Sequence, residues 1–157
     1  MFGIKQHLIL FIILLLAACT GPGERQRSAF QVSEADKQAE DKILPGVQTS
    51  KPVLALLQQA NDAARDGKLH TAESQLERAL RIEPRNAVLW HYMAKLRLHQ
   101  DRLGEAAGMA AKSNALAGRN KKLQADNWRI IAHARHQKGD KKGALEAQQK
   151  VEALLKE

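Results

Sequence analysis

The feature that most restricts how this chain can fold is a short pattern that returns twice at nearly constant spacing. Gly67-Lys68-Leu69-His70-Thr71-Ala72 recurs as Asp101-Arg102-Leu103-Gly104-Glu105-Ala106 after 34 residues, and as Gly139-Asp140-Lys141-Lys142-Gly143-Ala144 after a further 38. Ala60, Ala94 and Ala132 precede these segments at the same offsets, and Trp90 and Trp128 open equivalent segments, with Leu56 in their place in the first copy. Apolar residues around each copy fall at spacings of three and four, as in Leu54, Leu57, Ala60, Ala64 and in Ala72, Leu76, Ala79, Leu80, which is helical periodicity. The spacing predicts helix pairs over 52–65 with 69–82, 87–99 with 103–116, and 122–137 with 141–155. Ala60 and Ala72, like Ala94 with Ala106 and Ala132 with Ala144, stand where the paired helices cross closely, and a larger side chain there would overpack the crossing. Pro52 suits a helix start and Asn86 an N-cap.

This arrangement resembles the tetratricopeptide repeat (TPR) family, which pairs two antiparallel helices per 34 residues. The resemblance implies an all-α fold, an α-solenoid of three TPR-like helix pairs (about six antiparallel helices), over residues 52–157. The second copy departs from the family pattern, with Ser113 where Ala79 stands and Gly118 where Pro84 stands. Four extra residues then fall within Gly118 to Gln124, which predicts a longer loop or an extra turn on the third pair's first helix. The last helix is expected to cap the stack with the polar side chains of Lys142, Glu146, Gln149 and Lys150.

Ahead of the repeats, Lys5 and His7 precede residues 8–18, which carry no polar side chain. Eleven residues rise only about 16 Å as a helix, too short to cross a bilayer, which is the layout of an export signal over residues 1–18. Leu16-Ala17-Ala18-Cys19 resembles the lipobox of bacterial lipoproteins. That resemblance implies cleavage before Cys19 and acylation of its thiol and amine, and Thr20 in place of Asp implies sorting to the periplasmic face of the outer membrane. Stable anchoring takes two or more acyl chains. With Cys19, residues 20–51 are rich in Gly, Pro, Gln and charge, and read as a flexible linker reaching at most roughly 105 Å.

Charge divides unevenly. Residues 20–50 hold four basic and five acidic side chains, whereas 51–157 hold twenty and twelve. A positive domain favours acidic partners without choosing among them. In the repeat family the first helix of each pair lines a concave groove. The resemblance places Leu57, Asn61 and Arg65 there from the first pair, His91, Lys95 and His99 from the second, and Arg129, His133 and His136 from the third. Leu57 stands where the family's carboxylate clamp expects a lysine, so no recognition of a free C-terminus is implied.

No catalytic constellation emerges: Ser74 and Ser113 fall in second helices, carboxylates are dispersed, and no glycine-rich phosphate cradle is present. His133 and His136 sit three apart with no intervening HExxH pattern, and the single cysteine excludes a Cys-rich zinc site. The expectation is therefore a binding module with no metal, no cofactor and no nucleic-acid partner, since basic residues and aromatics do not interleave. Its Cys19 anchor, linker and short repeat domain resemble the small TPR outer-membrane lipoproteins of pseudomonads, which implies docking on and activating a class A penicillin-binding protein, a peptidoglycan synthase. A pilotin-like or scaffold lipoprotein that assists assembly of an envelope complex is the alternative.

Overall fold

The computed structural model describes residues 49–156, and the expected signal segment, Cys19 and residues 20–48 of the linker lie outside them. Helix α1 (Lys51–Arg65) pairs with α2 (Leu69–Ile82), α3 (Ala87–His99) with α4 (Leu103–Leu116), and α5 (Lys121–Gln137) with α6 (Lys141–Lys156). The pairs stack in chain order as an all-helical solenoid, α4 packing on α5, α2 on α3, and α3 touching α5. Each helix matches its expected range to within a residue.

Local chemistry explains the punctuation. Asn86 accepts the Val88 N–H at 3.0 Å, and Asn120 accepts that of Leu123 at 2.9 Å, so α3 and α5 each begin on an asparagine cap. The turns inside the pairs share one geometry, with left-handed backbone at Gly67 (φ 75°), Asp101 (φ 59°) and Gly139 (φ 82°). At each, two N–H groups return to the end of the preceding helix, as Gly67 N–H does to Ala64 O and Lys68 N–H to Ala63 O. The repeated Gly/Asp position is thus a backbone requirement, and the second copy meets it with the more strained residue.

The two caps, Asn86 and Asn120, are 34 residues apart, so the four extra residues enter after the cap. They lengthen α5 to 17 residues against 13 in α3. Four residues are close to one helical turn, which keeps the buried face nearly aligned. The extra turn brings Leu123 into the core of the first two pairs. It also corrects one expectation: Trp128 stands in the second turn of α5, while Trp90 stands in the first turn of α3. Trp90 is half-buried and its indole N–H donates to the Pro84 carbonyl at 2.8 Å, whereas Trp128 packs on the core of the later pairs.

The small residues sit inside: Ala60, Ala72, Ala94, Ala106, Ala132 and Ala144 are all 5 % exposed or less. Between the first and second pairs the core is apolar, with Leu57, Leu76, Ala79, Leu89, Met93 and Leu96. Between the second and third it is different. Asn127, fully buried, donates to Ser113 Oγ (2.7 Å) and Asn114 Oδ1 (3.0 Å), and Ser113 Oγ donates to the Ala87 carbonyl (2.7 Å). Because both Asn127 amide protons are committed, its Oδ1 accepts from His91 Nδ1 at 2.8 Å, which fixes the proton on that nitrogen.

The two long edges of the stack also differ. At the edge holding the turns inside the pairs, Arg97 is 5 % exposed and meets Glu73 at 2.6 Å. Gln100 donates to the same carboxylate, and Arg102 bridges Glu73 and Glu105. Arg97 holds the Glu73 carboxyl down to about 2, against a smaller opposing effect of burial. Sequence reading had dispersed the carboxylates over helix surfaces; Glu73 instead joins the first pair to the second. At the other edge, where the chain enters, the Ser50 N–H donates to Glu83 Oε1 (2.8 Å), and Asn86 Nδ2 donates to Glu83 Oε2 (2.7 Å) and Thr49 Oγ1 (3.1 Å). Burial raises the Glu83 carboxyl, but these N–H donors outweigh it and leave it below its ordinary range. Thr49 and Ser50, expected in the linker, are fastened to the α2–α3 loop.

Candidate functional site

The first helices α1, α3 and α5 carry every expected groove residue, but the structure sorts those residues into three groups. On α1, Leu54, Leu57, Gln58 and Asn61 line a cleft of about 300 Å³. Leu57 and Asn61 are each 7 % exposed, so they form its floor, while half-exposed Leu54 forms its rim. Asn61 Oδ1 is buried there without a hydrogen-bond donor. Leaving a buried carbonyl oxygen unpaired is unfavourable. Arg65, one turn on, is exposed at the end of α1.

On α5, Arg129, Ala132, His133 and His136 line a second cleft of about 550 Å³, completed by Gln148, Val151 and Glu152 of α6. Arg129 is ion-paired with Asp126 one turn earlier, and the Gln137 amide lies 2.8 Å from His133 Nε2, which serves as acceptor. The cleft therefore combines polar walls with an apolar base of Val151 and Ala132. Gln148 and Glu152 were missed in sequence reading because they belong to a second helix, which the family pattern places outside the groove.

On α3, between these two, His91, Lys95 and His99 are half-buried. His91 is drawn into the junction with the third pair through Asn127, so its Nδ1 is committed to holding the repeats together. Its ring meets Tyr92 edge-on with centroids 5.6 Å apart, and the Lys95 ammonium lies 5.6 Å from the centre of the Tyr92 ring, a cation–π distance that fixes where the lysine projects. Among the described residues no three of His, Cys, Asp and Glu gather where one metal ion could be held.

The arrangement offers two clefts, one on α1 and one between α5 and α6, with Lys95 of α3 between them. No family model matches the chain, and no curated protein matches it. Among solved structures, the chain is similar to the globular C-terminal domain of LpoP from P. aeruginosa. The two are 38 % identical, with a TM-score of 0.64, and the match covers 67 % of this chain and 99 % of that one.

Proposed function

The chain belongs to the LpoP family, and on that premise we propose that it is a lipid-anchored activator of a periplasmic class A penicillin-binding protein. The observation that carries this reading is the 38 % identity extending over 99 % of the related domain. It accords with the resemblance drawn from Cys19, the linker and the repeats to lipoprotein activators of peptidoglycan synthases. In this reading residues 1–18 are removed, residues 19–51 anchor and tether the domain at the periplasmic face of the outer membrane, and residues 52–157 bind. No described helix is long and apolar enough to cross a membrane. In this reading the anchor is the acylated Cys19. The module has no enzymatic step of its own.

Docking uses the first-helix face. The α1 cleft supplies an apolar surface at Leu54 and Leu57, and Lys95 and Arg129 supply positive charge for an acidic stretch. Binding activates by favouring one of two states of the synthase, which requires a difference in affinity between them. Lys95→Ala with Arg129→Ala should weaken binding about tenfold and flatten its salt dependence, with helical content unchanged. Unchanged affinity would place the partner on another face. Removing residues 24–48 while keeping Cys19 and Thr49–Ser50 should abolish activation in cells but preserve it in solution. A pilotin-like escort of an outer-membrane complex would be indifferent to that deletion.

A further inference from the structure

Charge is distributed between the two long edges of the stack in a way that the docking face does not use. The edge where the chain enters is built from residues 49–54, 78–90, 112–124 and 152–156: the start of α1, the α2–α3 and α4–α5 loops with their flanking turns, and the end of α6. It carries nine Lys and Arg against two acidic side chains, Glu83 and Glu152. All nine cations are exposed, among them Lys51, Arg81, Arg85, Arg119, Lys122 and Lys156. Glu83 is already taken up by Ser50 and Asn86, which leaves Glu152 as the exposed acid. The opposite edge, residues 62–73, 95–105 and 133–143, also carries nine cations, but six acids accompany them. Several of its charges are consumed in the Glu73–Arg97–Arg102–Glu105 network and in the Lys68–Asp66 pair.

Apolar exposure follows the same division. Of the four large apolar side chains among the described residues that stand about half-exposed or more, Leu54, Ile82 and Leu155 lie at the entry edge, and Leu145 lies towards the other. They come from three different helices, α1, α2 and α6, and are interspersed with the cations. A folded protein partner would need matching pockets for each. A fluid layer of anionic headgroups needs only cations at its surface and a few apolar tips to enter its upper layer.

We propose that the entry edge of the domain seats on a membrane surface containing anionic phospholipid, with Arg85, Arg119 and Lys122 at the centre of the contact. The proposal goes beyond the synthase-docking reading and rests on it only for the anchor. Residues 20–48 join the domain at Thr49, on this same edge, so a chain anchored through Cys19 brings that edge towards its own membrane. The first-helix clefts and this edge then serve different partners and meet at Leu54 and Glu152, which border both. An unengaged domain rests on its membrane, and engagement of the synthase lifts it away.

The test uses the chain from residue 20 to 157, without acyl groups. All the contacts described above lie within 49–156 and are retained. Binding is measured by co-sedimentation with vesicles of phosphatidylcholine alone and of phosphatidylcholine mixed with phosphatidylglycerol. The expected result is binding to the mixed vesicles only, weakening as salt is raised. Arg85→Gln, Arg119→Gln and Lys122→Gln should each reduce it about fivefold, and together roughly a hundredfold. Lys138→Gln, Lys141→Gln and Lys142→Gln together remove the same charge from the opposite edge and should change it less than about fivefold. Equal losses from the two triple variants would show that net charge alone is acting and would overturn the assignment, as would failure of the unsubstituted chain to bind mixed vesicles. Loss of synthase binding in the entry-edge triple, with no vesicle binding by the parent, would give this edge to an acidic protein instead. No synthase is present in the vesicle assay, so its failure is distinct from failure of the docking reading.

Discussion

The junction between the first and second helix pairs and the junction between the second and third occupy equivalent places in the repeat and are held by opposite chemistry. Leu57, Ala79, Leu80 and Leu89 at the first have His91, Ser113, Asn114 and Asn127 as their counterparts at the second. All four positions change together, and His91, Ser113 and Asn114 then all hydrogen-bond to Asn127, while the Asn114 Nδ2 stays buried without a partner. An apolar contact tolerates small slips, because dispersion and burial have no direction. A chain of hydrogen bonds buried in low dielectric fixes register, since each displaced partner leaves a polar group unpaired. The lesson is that a repeat array can assign tolerance to one joint and a fixed angle to the next without altering its backbone plan.

The contrast can be broken most severely at Leu89. Leu89→Asn places an amide where no partner waits and should destabilise the domain by about 4 kcal/mol, read from the midpoint of urea unfolding. Next is the charged edge of the same junction. Glu73→Gln removes the nearest carboxylate from the buried Arg97 guanidinium, leaving it Gln100 and the more exposed Glu105, and should cost about 3 kcal/mol at neutral pH. Because the Glu73 carboxyl is lowered from 4.5 to about 2, its contribution is complete above pH 4.5 and is lost as pH falls towards 2. Hydrogen exchange across that window should show α1 and α2 loosening before α5 and α6. If the variant and the parent lose stability equally in acid, the pair does not hold the first junction.

A smaller effect sharpens the comparison from the polar side. Asn127→Leu leaves the His91 N–H and the Asn114 carbonyl without partners and should cost about 2 kcal/mol by thermal unfolding. Adding His91→Leu, Ser113→Ala and Asn114→Leu rebuilds an apolar joint and should recover all but about 1 kcal/mol. A quadruple variant no more stable than the single one would mean that the polar set does more than satisfy itself. The smallest change avoids both junctions. Asp101→Gly relieves the left-handed backbone and should raise stability by less than about 1 kcal/mol, with the docking clefts unaffected in a binding titration.

The helix pairs are legible in the chain because two constraints repeat together: a small residue at each crossing and a residue able to turn left-handed at each pair's bend. The four-residue insertion was readable only as a loop or a turn, since either absorbs the same length; Leu123 decides, because as part of a helix it reaches the core. The polar junction left one visible trace, Ser113 in place of Ala79. Its partners come from three helices, and helical spacing within any one of them says nothing about which residues face each other across a stack. The spacing shows His91 on a first helix but not its contact with Asn127, and it does not show Arg97 meeting Glu73, because a long charged side chain looks the same in sequence whether it meets water or a buried partner. Arg129, His133 and His136 do share a cleft, but its α6 wall lay outside the family pattern.

The fastening of Thr49 and Ser50 to Glu83 and Asn86 has a mechanical consequence. A pull on the leading segment of the chain does not begin by peeling α1 from its N-terminal end. It arrives first at the corner where the first pair joins the second, and loads several hydrogen bonds side by side. A domain moored by its leading end can thus bear traction at its joint while its first helix stays seated.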